Sequence, residues 1–422
     1  MLAKECEYEL TLGEKAAVDT HLLSLNLPLD IDLTFDDVYM KERYSKTRSR
    51  SDIPAMDFRT RLLPNLELGI PIISANMESV TGFDMAVEMG KWGGLGIIPQ
   101  TLPLEGQFPL PLESRVNLLE KIGRADCALI DRPLTIRPER TLAEARQVME
   151  KFNVTSLVVV TENKVAFGML SHRDWCHEKK EDYDRLLVGD LMGGGRLRKL
   201  HTLKRGPIGP MFEEAAKILK ENRIEKLPLV DQYGHVNGLI TARGLFYKDY
   251  YPMAMRDNKG RFLRIGSIGV GTRYTKERAY EAEAQLKKGI CALLSDSGRI
   301  LAINPEEVVK GVRRDFPKLP LIVGNTSTPE GAKEIFEWGG DVAKINQGRG
   351  SVCRTSENGV GTPQLTAIAQ AAKIAKLYGK TIVADGGMYG PDHLLMAIAA
   401  GAHACMTGSL VVGTWESAAP AQ

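Results

Sequence analysis

One thiol in this chain stands where a nucleophile could work. Cys353 lies in Gly348-Arg349-Gly350-Ser351-Val352-Cys353-Arg354-Thr355, directly after the short apolar run Val342 to Ile345. A thiolate needs partial exposure, nearby positive charge and backbone that approaches its substrate closely. The glycines allow that approach, and Lys344, Arg349 and Arg354 supply positive charge. Two further segments offer complementary chemistry. Asp385-Gly386-Gly387 and Gly408-Ser409 each follow an apolar run. Their backbone N–H groups, with the hydroxyls of Ser409 and Ser351, suit an anion-binding nest. Asp385 could accept two hydrogen bonds from sugar hydroxyls. Phosphate donors, a carboxylate and a thiol together suggest a nucleoside monophosphate with its base directed toward Cys353.

These residues work together only if the fold brings them to one rim. The 422 residues are 43% hydrophobic and 26% charged, ordinary for a globular chain of two or three domains. A formal charge of +2 argues against nucleic acid as a partner. The six cysteines have no CxxC spacing, so a disulfide framework or zinc site is not expected, and a reducing, cytoplasmic setting is. No signal-type or membrane-spanning apolar run occurs. Short apolar runs recur at Pro71–Asn76, Gly94–Pro99, Arg264–Val270, Ile290–Asp296, Leu319–Asn325, Asp341–Asn346, Thr381–Asp385 and His403–Thr407. Helical patterns lie between most of them, at Asp84–Trp92, Lys276–Lys288, Pro329–Trp338, Thr366–Leu377 and Asp392–Ala400. The alternation fits an α/β (βα)8 TIM barrel or an open doubly wound sheet. The barrel is favoured because polar or glycine residues end nearly every strand, whereas an open sheet concentrates its site at one switch point.

The alternation stops between Leu118 and Lys248, where the chain repeats itself at an offset of about 70 positions. Leu157–Val160 matches Leu227–Val230, and Gly168-Met-Leu-Ser171 matches Gly238-Leu-Ile-Thr241. Each copy reads as a helix, a strand, a turn and a second strand. The expected domains are residues 1–122 (an N-terminal extension and strands one and two), 123–248 (the tandem module) and 249–422 (strands three to eight). The repeats resemble a pair of cystathionine-β-synthase-type (CBS) modules, many of which bind adenine nucleotides. That resemblance implies ribose contacts at Ser171 and Asp174, and at Thr241 in the second copy, whose aspartate is replaced by Gly244. A spacer or assembly element without a ligand is the alternative.

Almost the whole chain from Leu33 resembles the inosine monophosphate dehydrogenase and guanosine monophosphate reductase family. The resemblance rests on Leu33–Val38, Ser74-Ala-Asn-Met-Glu-Ser-Val80, Gly348–Thr355, Asp385-Gly-Gly387 and Met406-Thr-Gly-Ser-Leu410. It implies that Cys353 attacks purine C2 with Thr355 assisting. It also implies that Ser74, Met77, Ser351, Asp385, Gly386, Gly387, Gly408 and Ser409 hold the nucleotide, and that Asp296, Ser297 and Asn325 face NADP or NAD. Backbone carbonyls of Gly348, Gly350 and Cys353 would hold a potassium ion. A homo-oligomer, tetramer or octamer, is implied by the same resemblance. Asn76-Met77, Pro99–Pro103 and Gly359–Gln364 resemble the reductases, which convert GMP and NADPH to IMP and ammonia. The dehydrogenase direction, IMP and NAD to XMP, and a non-catalytic nucleotide sensor are the alternatives. Asn346, Gln347 and Arg354 depart from the family pattern. The sequence given stops at Gln422, so the eighth helix and the mobile flap are expected to be missing from it.

Overall fold

In the computed structural model the described residues are 32–41, 49, 57–100, 111–152, 154–193, 200–258, 260–269, 273–297, 300–302, 305–346 and 359–418. They form two compact units. One holds the chain through Gly123, Met253–Arg256 and everything from Phe262; the other holds Arg124–Pro252 and Asp257–Arg261.

The first unit is a parallel barrel. Its strands are β1 (Ile72–Ser74), β2 (Leu95–Gly96), β3 (Ile265–Gly269), β4 (Ala292–Asp296), β5 (Leu321–Thr326), β6 (Val342–Ile345), β7 (Thr381–Asp385) and β8 (Ala404–Thr407). β3 to β8 each pair with the next, β8 pairs with β1, and β1 with β2. The ring is closed by a parallel bridge between Ile97, just past β2, and Ile265. The helices are α1 (Phe83–Lys91), α2 (Leu112–Arg124), α3 (Lys276–Lys287), α4 (Pro305–Asp315), α5 (Pro329–Glu337), α6 (Gln364–Tyr378) and α7 (Pro391–Ala399). The expected alternation is thus realised as a barrel, with ends shifted by up to three residues. α6 begins earlier than its apolar pattern suggests because Pro363, with φ −48°, is already set for the turn into it. Among the described residues no helix follows β8; Gly408–Ala418 runs as turns back to the β1 loop, where Ser417 Oγ donates to the Ser79 carbonyl at 2.7 Å.

Strand pleating sends alternate side chains inward, and the register stacks them. The inward residues Ile73, Ile265, Ile322 and Val383 of the odd strands form a middle layer. Each is the register partner of one residue below it (Leu95, Ala292, Val342, Ala404) and one above it (Ile97, Leu294, Lys344, Met406). This is the layered filling of a closed eight-stranded barrel, a packed core and no pore. Every member but Lys344 is apolar and buried. The lower end is covered by an antiparallel hairpin, Thr60–Leu63 with Leu66–Leu68. It adds Leu62, Leu63, Leu66 and Leu68 to the same core, and it is anchored by Thr60 Oγ1 to the His403 carbonyl (2.7 Å) and Thr381 Oγ1 to the Leu62 carbonyl (2.6 Å).

The second unit carries the internal duplication. In the first copy Ser156–Val160 pairs antiparallel with Ala166–Ser171, from Ser156↔Ser171 to Val160↔Ala166, with an irregularity between Val159 and Val160. In the second, Lys226–Val230 pairs with Val236–Thr241, from Lys226↔Thr241 to Val230↔Val236, with the irregularity between Leu229 and Val230. The same register and the same interruption recur because the same apolar pattern faces each copy's own helix, Leu142–Phe152 or Ile208–Asn222. The two turns pair with each other through an antiparallel bridge, Val165↔His235.

Two stability predictions follow from the barrel unit. Arg115 of α2 donates to Glu281 of α3 at 2.6 Å and to the Ser267 carbonyl of β3 at 3.3 Å, with both charged side chains almost fully buried. Arg115→Met strands Glu281 near Arg278 alone and should cost about 3 kcal/mol, read from the urea midpoint at constant m-value. Burial pushes the His403 imidazole, whose Nδ1 faces the Ile382 N–H, down to about 4. The unfolded chain therefore takes up this proton first, and stability falls as pH drops from about 6.5 toward 4. His403→Gln should flatten that part of the curve of melting temperature against pH.

Candidate active site at the barrel rim

The upper ends of the strands converge on a polar cluster around one lysine. Lys344 leaves β6 as the charged member of the upper core layer and is 2% exposed. Its Nζ lies 2.7 Å from Asp385 Oδ2 at the end of β7 and 3.0 Å from Asp296 Oδ1 at the end of β4. To reach β4 the side chain must cross β5, and there the inward residue is Gly324. A Cβ at Gly324 would lie 2.5 Å from the Lys344 Cβ, so only glycine leaves the passage open. Burial pulls the ammonium toward the neutral form, but the charges of Asp296 and Asp385 outweigh it and hold Lys344 above the ordinary lysine range. The expectation that Lys344 lends free positive charge to the thiol is corrected accordingly: its charge is taken up by two carboxylates.

Amides complete the cluster. Asn76, in the loop after β1, donates to Asp296 Oδ2 at 2.7 Å. Asn325 of β5 donates to Asp385 Oδ2 at 3.0 Å. Gln364, the first residue of α6, donates to the carbonyls of Ile345 (2.8 Å) and Asp385 (3.3 Å), tying the ends of β6 and β7 together. Next to Asp385, Gly386 and Gly387 turn with φ of 74° and 73°. Asn346, the last described residue of the β6 end, places its Nδ2 2.9 Å from where a Cβ of Gly386 would stand. At the β8 end Gly408 packs beside Met77, whose Sδ is 3.4 Å from the position a Cβ would take. Ser74 is fully buried, and its Oγ lies 2.8 Å from Thr81 Oγ1. The Ser409 hydroxyl donates to the Met388 carbonyl at 2.8 Å, so it links the β8 and β7 loops. Ser297 acts through its backbone, exchanging hydrogen bonds with Gly324 and Asn325 at 2.8 and 2.6 Å.

The structure therefore gathers Ser74, Met77, Asp296, Ser297, Asn325, Asp385, Gly386, Gly387, Gly408 and Ser409 on the strand ends of one barrel. Gly348, Gly350, Ser351, Cys353 and Thr355 lie outside the described residues. Of the described thiols, Cys291 and Cys405 are pushed up by burial to about 11 and about 12. Cys127 is buried and donates to the Leu129 carbonyl at 2.9 Å. In the second unit, Ser171 and Asp174 are engaged with each other: the Ser171 N–H and hydroxyl both reach Asp174 Oδ2, at 2.7 and 2.8 Å, capping the helix His172–Trp175. The Thr241 hydroxyl donates to the Cys127 carbonyl and accepts from the Gly244 N–H. Sequence reasoning named Asn76 and Lys344 for other reasons. The signal for Lys344 was a lysine within a run of otherwise apolar strand residues.

Fold and rim define an α/β-barrel enzyme whose polar site is built on the C-terminal strand ends. Residues 32–422 match the family described as IMP dehydrogenase / GMP reductase domain. The chain is 35% identical to inosine-5'-monophosphate dehydrogenase of Aquifex aeolicus over 387 residues, 91% of this chain and 74% of that protein. It is 34% identical to the enzyme of the same name from Staphylococcus saprophyticus subsp. saprophyticus, with the same coverage of both chains. Among solved structures it resembles GMP reductase from Trypanosoma brucei in complex with guanosine 5'-triphosphate, with a TM-score of 0.78, 27% identity and coverage of 94% of this chain and 90% of that one. A cysteine-to-alanine variant of that reductase in complex with guanosine 5'-monophosphate gives a TM-score of 0.79 at 26% identity, covering 94% of this chain and 79% of that one. The chain belongs to the IMP dehydrogenase/GMP reductase family and is a purine nucleotide oxidoreductase, of a family that uses NAD(P). The donor set at the rim fits such ligands: two carboxylates and two amides can take the hydroxyls of two riboses. No described helix is long and apolar enough to cross a membrane.

The glycine turns can be tested for strain without any ligand. Gly386→Ala forces a side chain into left-handed backbone next to Asn346 and should cost about 1–2 kcal/mol. Gly408→Ala meets only ordinary contact distances and should stay within about 0.5 kcal/mol of the parent. Thermal melts of the two variants side by side read the difference.

Proposed function

We propose that this chain is a GMP reductase: GMP, NADPH and two protons give IMP, NADP and ammonium. The observation that carries the reading is Asn76. Its amide donates to Asp296 at 2.7 Å, a bond unavailable to the proline common at this position in the dehydrogenases. The structural likeness to a GMP reductase, one form of it in complex with GMP, supports the same direction. The IMP dehydrogenase direction is the second reading, favoured by the names of the curated relatives.

In the proposed reaction Asp385 holds the ribose hydroxyls of the monophosphate. The backbone of Gly386, Gly387, Gly408 and Ser409, with Ser351, surrounds its phosphate, while Ser74 and Met77 flank the base. Asp296, Ser297 and Asn325 face the nicotinamide nucleotide, which supplies the hydride when bound. The thiolate of Cys353 forms a bond to purine C2, with Thr355 beside it. The amino group leaves as ammonia after gaining a proton. Once C2 has received the hydride, the C2–S bond breaks and the thiolate returns. A potassium ion on the carbonyls of Gly348, Gly350 and Cys353 belongs to the same reading. So do a tetramer or octamer and a cytoplasmic setting.

For residues 123–248 the reading is a CBS pair that takes an adenine nucleotide near Ser171, Asp174 and Thr241. What supports it is the duplicated register of the two strand pairs.

The test follows reduced cofactor at 340 nm with purified protein. GMP should consume NADPH and release ammonia, and Cys353→Ala should lose at least about a thousandfold of that rate while still binding GMP. Turnover with IMP and NAD alone would select the dehydrogenase. GMP binding without turnover in either direction would select the non-catalytic sensor.

A further inference from the structure

We infer that Lys344 is a positioning residue that couples the two halves of the site, because one buried ammonium orients both the carboxylate assigned to the monophosphate and the carboxylate assigned to the cofactor. The inference rests on the reading above for what Asp385 and Asp296 hold, but its physical basis is independent of it.

Three observations converge. Lys344 interrupts an otherwise apolar barrel interior, a costly place for an ammonium unless it is fully paired. Gly324 opens the passage across β5 that lets a β6 side chain reach a β4 carboxylate. Each carboxylate then receives one further donor, Asn76 on Asp296 and Asn325 on Asp385. Asp385 takes Lys344 and Asn325 on the same oxygen, Oδ2, which leaves Oδ1 for a ligand. Asp296 takes Asn76 on Oδ2 and the ammonium on Oδ1.

One positive charge between two negative ones leaves the cluster with a net charge of −1. Among the described residues the titratable groups facing the ammonium are Asp296 from β4 and Asp385 from β7. β1 and β5 present the amides of Asn76 and Asn325, and β8 presents Met406 from the same layer. Without the ammonium, two carboxylates share a confined site and repel. One of them takes up a proton at a pH where both were ionised. A structural lysine that merely fills space would not create this titration.

The experiment compares the parent, Lys344→Met, Gly324→Ala and the double variant Lys344→Met/Asp296→Asn from pH 5.5 to 9. GMP and NADPH affinities are measured by calorimetry, each relative to the parent at the same pH so that ligand ionisation cancels. Lys344→Met should weaken both ligands by about tenfold or more at pH 8, with the deficit shrinking on acidification. Gly324→Ala, which displaces the lysine without removing it, should weaken both in the same direction. The double variant, having one carboxylate left, should regain GMP affinity to within about threefold, lose the pH dependence and remain weak for NADPH. A folded Lys344→Met with parent-like affinities would overturn the inference. So would a deficit that ignores pH and is not relieved by Asp296→Asn.

If the parent binds neither nucleotide, the proposed function fails and melting temperature alone decides the positioning role. In that event Lys344→Met should gain stability relative to the parent between pH 8 and 5.5, and the double variant should not. Equal pH slopes for all three would overturn it.

Discussion

A lysine in the middle of an apolar barrel constrains everything around it. The ammonium of Lys344 can remain charged there only because β4 and β7 each end in an aspartate within 3.0 Å of it. The aspartates in turn are acceptable at a half-closed rim only because the lysine and two asparagine amides hold them. Removing the lysine leaves two carboxylates facing each other without their shared counter-charge. The cluster therefore ties β1, β4, β5, β6 and β7 together electrostatically at their upper ends. The apolar layers tie the same strands together below.

That division explains how the barrel carries both stability and chemistry. The lower and middle layers, from Leu95 and Ala404 up to Ile322 and Val383, are small and branched hydrophobic side chains packed with no polar group to satisfy. The hairpin at Thr60–Leu68 closes that end with four leucines. Polarity begins with Lys344 and increases toward the mouth, where the glycines at 324, 386, 387 and 408 let backbone or a neighbouring side chain come close. Such a polar rim over an apolar base fits the α/β-barrel site of this family. The duplicated unit between β2 and β3 is built on different logic: two copies of one strand pair in one register, each over its own helix.

Much of this was legible in the sequence, for identifiable reasons. The eight barrel strands were readable because each is a short apolar run ended by a polar or small residue, as at Ile290–Asp296 and Thr381–Asp385. Five of the helices were readable from their period to within a residue or two, and the start of α6 moved most, where Pro363 sets the backbone ahead of the apolar pattern. The repeat was readable because its two copies kept the spacing between paired strands. Asp385, Asp296, Gly386 and Gly408 were recognisable by type and by position at a strand end. The meaning of Lys344 was not, since a lysine one residue from the end of a strand reads as surface or as charge for a nearby thiol. Nor could Gly324 be recognised as a passage, or Ser171 and Asp174 as partners in a helix cap.

The linear order of residues thus determined the periodicities, the strand ends and the residue types available for chemistry, because these depend on local pattern alone. Which charges face each other was decided only in three dimensions. Residues 296, 344 and 385 are separated along the chain by whole βα units, and they meet because closing the barrel turns their strand ends toward a common centre. Coulomb interactions fall with distance through space and take no account of separation along the chain. The state of the rim therefore belongs to the folded barrel and to no segment of the sequence by itself.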